Sequence, residues 1–167
     1  MSRPKTRSNL PPRSDEKRKR CLDDAVSQDM LTARFKGIRY KGSSKHKRCP
    51  HLYGLEPFKG PRGDATLCDE HAGWQRSSED RIPRLLGRAR DAALVGSLIW
   101  TVDDNGWIYE LQSTNSEQNE HHGYPLRPTD PFAEKIINRF ATWAARHGTD
   151  QDIQAARACK ARYDVKP

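Results

Sequence analysis

No stretch of this chain approaches the roughly 20 consecutive apolar residues that a membrane-spanning helix needs, so no membrane partner is expected. The first dozen residues are basic and lack an apolar core, which sets them apart from a secretory signal. Four cysteines in 167 residues are too few for a disulfide scaffold, and their spacing suits metal binding in a reducing compartment; the cytoplasm is the expected location. There is no Gly-rich phosphate loop, which argues against a nucleotide-driven enzyme of the usual design. Neither a Ser-His-Asp order nor a paired-carboxylate motif is present, and Asp103 with Asp104 falls in a turn, where Asp is common. No internal repeat is found. Apolar residues make up only 34% of the chain against 31% charged, so the core is modest: one domain with an appendage.

What is present is charge, unevenly placed. Residues 1–50 hold 15 Lys/Arg against 5 Asp/Glu, whereas the remaining residues hold 15 against 17. A cationic end raises the local potential and draws a polyanion, most simply DNA or RNA. Residues 1–13, with three prolines and no hydrophobic period, read as a disordered basic arm, and 14–167 as a single compact α+β domain. Lys17, Arg18, Lys19 and Arg20 on the first helix, with Arg39 and Lys41 beyond it, are the candidate phosphate contacts. A solubilising tail and solvated helix face is the plainer reading of the same charges.

Helical spacing predicts four helices. Ser14 caps the first, with Leu22, Val26, Met30 and Ala33 as its apolar stripe. The second starts near Asp80, carries Ile82, Leu85, Leu86, Ala89 and Ala93, and ends at Gly96. Asp130 and Pro131 open the third, which runs to Gly148, and Thr149 with Asp152 forms a capping box for the fourth. Between helices two and three, residues 98–102 and 107–111 flank Asp103-Asp104-Asn105-Gly106, the strongest short signal for a β-hairpin. Alternation sets Trp107, Tyr109 and Leu111 on one face, with Ile108 and Glu110 on the other. Arg39 to Lys41 reads as a short strand, 113–123 as an exposed polar loop, and 124–128 as extended chain. The fold class is therefore α+β: about four helices around a small antiparallel sheet, with an irregular middle segment over 39–75.

That middle segment holds two Cys/His pairs, Cys49 with His51 and Cys68 with His71, separated by residues rich in Gly and Pro. Two close pairs of soft ligands on a flexible spacer are what a tetrahedral zinc site needs, and four protein ligands make such a metal structural. Cys-x-His is a weaker opening pair than Cys-x-x-Cys, and free cysteines are often simply small buried hydrophobes. His46 and Cys159 are competing donors.

Several phrases resemble a small, largely uncharacterised bacterial protein family. They are Tyr40-Lys41-Gly42-Ser43 with His46-Lys47, Ala65-Thr66-Leu67-Cys68-Asp69, Trp100-Thr101, Gly106-Trp107-Ile108-Tyr109-Glu110 and His122-Gly123-Tyr124-Pro125. The resemblance covers roughly residues 39–160 and brings no activity with it. It implies that Cys68 and the Gly-Tyr-Pro phrase are typical and that Cys49 and His51 are not required, favouring a site on Cys68 and His71 with other partners.

Three functions fit these residues. The first is a nucleic-acid-binding protein whose basic arm neutralises phosphates. In it, Tyr40, Phe58 and Trp74, interleaved with Arg39, Lys41, Lys59 and Arg62, stack on bases; core packing is their plainer role. The second is a small, toxin-like, metal-independent ribonuclease. Attack by the 2′-hydroxyl needs a base, an acid and a cation, which His46, Lys47, Glu110, His121 and His122 supply if the fold gathers them. His46 must then lie within about 10 Å of His122. The third is a protein-interaction module.

Overall fold

A computed structural model describes residues 20–62, 65–115 and 117–164. The basic arm 1–13 and Lys17, Arg18 and Lys19 lie outside the described residues. Within them the chain is α+β, with five helices and one four-stranded mixed sheet: α1 Gln28–Phe35, β1 Arg39–Tyr40, α2 Cys68–His71, α3 Ile82–Asp91, β2 Ile99–Val102, β3 Ile108–Asn115, β4 Glu120–Pro125, α4 Ala133–His147 and α5 Asp150–Arg162.

The hairpin forms where expected. β2 and β3 pair antiparallel, from Ile99 opposite Leu111 to Val102 opposite Ile108. Asp103 closes the turn with its carboxylate, accepting from the backbone N–H of Asn105 and Trp107 (both 2.9 Å), as turn Asp residues do. Gly106 has φ of 82°, and a Cβ there would stand 2.4 Å from the Ala158 carbonyl carbon in α5, so glycine is required on both counts.

The sheet does not stop at the hairpin, which corrects two expectations. Residues 113–123 are no loop: β3 runs on to Asn115 and β4 returns beside it, Glu110 facing Tyr124 and Gln112 facing His122. β1 then adds parallel to β4, Arg39 beside Glu120 and Tyr40 beside His121, so the sheet is mixed, in the order β1-β4-β3-β2. Gln112 and Tyr124, on one face of these strands, line a cleft.

Over the described residues the first helix is also shorter than its apolar spacing suggests, and its expected cap, Ser14, lies outside them. It starts only after Ser27, whose hydroxyl accepts from the Met30 N–H (3.1 Å). The backbone upstream is already taken: Leu22 bridges to Gly96 and the Asp23 N–H donates to the Val95 carbonyl (2.9 Å). α3 follows a 3₁₀ segment, Arg76–Arg81, which carries a capping box of Gln75 and Ser78. α4 ends at Gly148, and Thr149 and Asp152 cap α5 reciprocally, both as expected.

Trp100, Ile108, Phe132, Ile136, Ile137 and Phe140 are fully buried and form the centre of the core. Arg88 ties three elements together from inside it. Its guanidinium donates to Asp152 (2.8 Å), to the Val102 carbonyl (3.0 Å) and to Asp104 (2.6 Å), so α3, α5 and the hairpin turn share one charge cluster.

Candidate active site

His122 and Tyr124 are two residues apart on β4, so their side chains share a face, and Gln112 and Glu110 lie opposite them on the same face of β3. A 3₁₀ turn, Ser44–His46, brings His46 over that face. Its imidazole stacks on Tyr124, ring centroids 4.6 Å apart and planes 18° from parallel, and lies 5.7 Å from the ring of His122. Residues 46 and 122, distant in sequence, are neighbours.

The hydrogen bonds fix what each ring can do. His46 Nδ1 is 2.9 Å from the Thr66 carbonyl oxygen. A carbonyl only accepts, so Nδ1 carries the proton and Nε2 holds the lone pair of a base. Burial drives His46 down to about 4, with His122, Lys45 and Lys47 adding to the effect and the Thr66 carbonyl opposing it, so the ring is neutral at physiological pH. His122 is likewise held below the usual imidazole range, by burial first and then by His121 and Lys45. Its Nδ1 is 2.7 Å from the Thr114 hydroxyl.

Tyr124 is held from behind. Its hydroxyl donates to Glu110 and accepts from Gln112 Nε2 (2.6 Å), so its proton points at a carboxylate and its ring serves as a platform for His46. Glu110 is completely buried, which corrects the expectation that it acts on substrate. Its carboxylate also accepts from Trp100 Nε1 (2.9 Å) and Arg20 Nη1 (3.1 Å). Arg20 in turn spans to Asp130 (2.9 and 3.0 Å) and lies over the Phe132 ring. It is only 3% exposed, a correction to its expected place among the phosphate contacts.

A cleft of about 250 Å³ opens over this face, lined among others by Lys45, His46, Gln112, Tyr124, Arg127 and Asp130. Lys45, Gln112, Tyr124 and Arg127 were not singled out from the sequence. Tyr124 and Gln112 had a signal, since alternation along a strand through 122–124 puts 122 and 124 on one side. Lys45 had none beyond adjacency to His46.

The other expected residues lie elsewhere. Lys47 does not line the cleft. It is 1% exposed, with its ammonium over the rings of Tyr53 (4.6 Å) and Trp74 (5.3 Å) and beside the Cys68 thiol. His121 points to the opposite face, its Nε2 3.0 Å from the Asn119 side-chain oxygen. Arg39 and Lys41 are exposed at the β1 edge. Trp74 is buried, with its carbonyl accepting from the Tyr53 hydroxyl (2.7 Å), and Tyr40 is half-buried beside Cys68, so both serve packing rather than base stacking. Phe58 is half-buried under the Arg62 guanidinium (5.6 Å).

Of the four expected zinc ligands, Cys68 is buried with its thiol donating to the Gly123 carbonyl (3.4 Å), and burial pushes it up to about 11. His71 is exposed and accepts from the Leu67 N–H at the start of its own helical turn (2.9 Å). His51 is exposed, and the backbone N–H of Cys49 donates to Asp69 (3.0 Å). Among the described residues, no three His, Cys, Asp or Glu side chains are gathered as a metal would need. No helix among them is long and apolar enough to cross a membrane. Comparison of the chain with protein-family models, with curated proteins and with solved structures returned no match.

Proposed function

We propose that this chain binds RNA and cleaves it by attack of the 2′-hydroxyl, with His46 as base and His122 as acid. The observation that carries the reading is the stacked His46 ring, neutral, with its lone pair on Nε2, at a cleft rimmed by Lys45 and Arg127, with His122 beside the lining residues at 5.7 Å from it.

Proton transfer at a phosphodiester needs a group that is unprotonated before the step and one that gives a proton during it. His46 Nε2 removes the 2′-hydroxyl proton. The 2′-oxygen then forms a bond to the adjacent phosphorus as the bond to the 5′-oxygen breaks. His122 gives that oxygen its proton, and the products are a 2′,3′-cyclic phosphate and a free 5′-hydroxyl. Both rings are held neutral by desolvation. An anionic phosphate that reaches from the cleft past His46 opposes that effect and draws a proton onto His122. Lys45 and Arg127 provide the positive charge that the phosphate meets as negative charge builds on its oxygens. Each of these groups is supplied by the chain, so the step as written uses no ion.

The test is a fluorogenic RNA oligonucleotide incubated with purified protein in EDTA, followed for a cyclic-phosphate end. Cleavage is expected, reduced at least ~100-fold in His46→Ala, with DNA of the same sequence left intact. RNA bound with steep salt dependence but not cut would refute the catalytic part and leave a binding protein.

A further inference from the structure

We propose that Arg20 is a positioning residue for this site, acting through Glu110 and Tyr124 on the orientation of His46. The inference rests on the acid–base reading of the cleft. It adds a residue outside the Tyr40–Trp74 segment and the sheet.

The contacts run in one line. Arg20 donates to Glu110 (3.1 Å) and, in fork fashion, to Asp130 (2.9 and 3.0 Å). Glu110 accepts from Tyr124, and Tyr124 carries His46 on its ring face at 4.6 Å. The Arg20 side chain has no solvent exposure and Glu110 has none either, so neither reaches a substrate. A buried carboxylate that loses one of its charged donors is drawn towards taking a proton or turning to its other donors. In either case its hydrogen bond with Tyr124 weakens or reorients, and the platform under His46 is free to shift. The geometry of Arg20 is what a planar guanidinium does well, because one fork engages two carboxylates at once; a lysine ammonium has no such fixed fork. Asp130 itself lines the cleft, so the same guanidinium ties the buried support to the cleft wall.

The experiment compares full-length wild type, Arg20→Gln and Arg20→Lys in two measurements. The first is steady-state RNA cleavage. Arg20→Gln is expected to lower kcat about 10- to 100-fold, the size of effect a small misplacement of a reacting group produces, with KM within about 2-fold of wild type. Arg20→Lys recovers part of kcat. A rise in KM at unchanged kcat would instead make Arg20 a substrate contact and overturn the proposal. The second measurement is the ¹⁵N imidazole spectrum, which does not depend on activity. Arg20→Gln is expected to move the His46 resonances and leave those of exposed His147 in place. If wild type cuts no RNA, the ribonuclease reading fails, and this spectrum alone decides the coupling: a shifted His46 upholds it and an unmoved one overturns it. If Arg20→Gln does not fold, Arg20→Lys carries both measurements, with wild-type kcat and an unmoved His46 as the refuting result.

Discussion

Acid should weaken this fold in a window that His46 sets. The ring is 8% exposed, and burial holds its affinity for a proton at about 4, against 6.5 for the free side chain. Between those values the unfolded chain takes up a proton that the folded chain refuses, so falling pH favours unfolding. The contribution is intact above about pH 6.5 and is lost as pH falls through 4. Linkage puts the loss from His46 between pH 7 and pH 5 at about 2 kcal/mol. His122 and His121 are depressed too and add loss of the same sign. Asp69, Asp104 and Asp152 are held below the usual carboxylate range, so what they contribute is lost lower down, below about pH 4. Asp103, raised by burial, acts in the opposite sense and offsets part of the loss. Urea titrations at pH 7, 6 and 5 and constant ionic strength, on wild type and His46→Phe, isolate the effect. Phe keeps a ring on Tyr124 but cannot titrate, so the variant starts less stable and loses about 2 kcal/mol less over the interval. Parallel losses in the two proteins would refute the assignment.

Lys47→Met is expected to raise the urea midpoint at pH 7, by about 1–3 kcal/mol in stability, because a buried ammonium held by two ring faces and a thiol gives way to an apolar chain of similar length; a lower midpoint would show that its attraction to Asp69 outweighs the cost of its burial. Gly106→Ala costs about 3 kcal/mol by the same assay, since the new Cβ meets the α5 backbone at 2.4–2.5 Å; a neutral result would mean that α5 can move aside. EDTA leaves the thermal midpoint unchanged, because the Cys68 thiol and the His71 Nδ1 are already spent on Gly123 and Leu67; a fall of several degrees would establish the Cys49, His51, Cys68 and His71 zinc set.

Legibility divides along one physical line. Local signals survived: Asn105-Gly106 made its turn, Thr149 with Asp152 capped α5, and Gly148 ended α4, each decided within four residues. Features decided by distant partners did not. Glu110 reads as a candidate acid-base group until Arg20, 90 positions away, is placed beside it. Residues 113–123 read as a loop because strands are recognised by their apolar face, and here that alternation is interrupted by the polar groups of the cleft. The spacing of Leu22 and Val26 suggested helix, yet the chain there pairs with the segment around Gly96. The gathering of His46 and His122 was conceivable from their types and required the fold to be known.

The span of the chain that builds the cleft has a consequence for biosynthesis. Its support needs residues 20, 46, 66, 110, 124 and 130 together, so closing it means ordering a loop of about 110 residues, and no product ending before residue 124 can hold the carboxylate of Glu110 between its donors. Long-range closures of this kind come late in folding. A nascent chain on the ribosome, surrounded by RNA, therefore carries the groups for chemistry well before it carries the arrangement. Any activity would switch on only after nearly the whole sheet has emerged and paired.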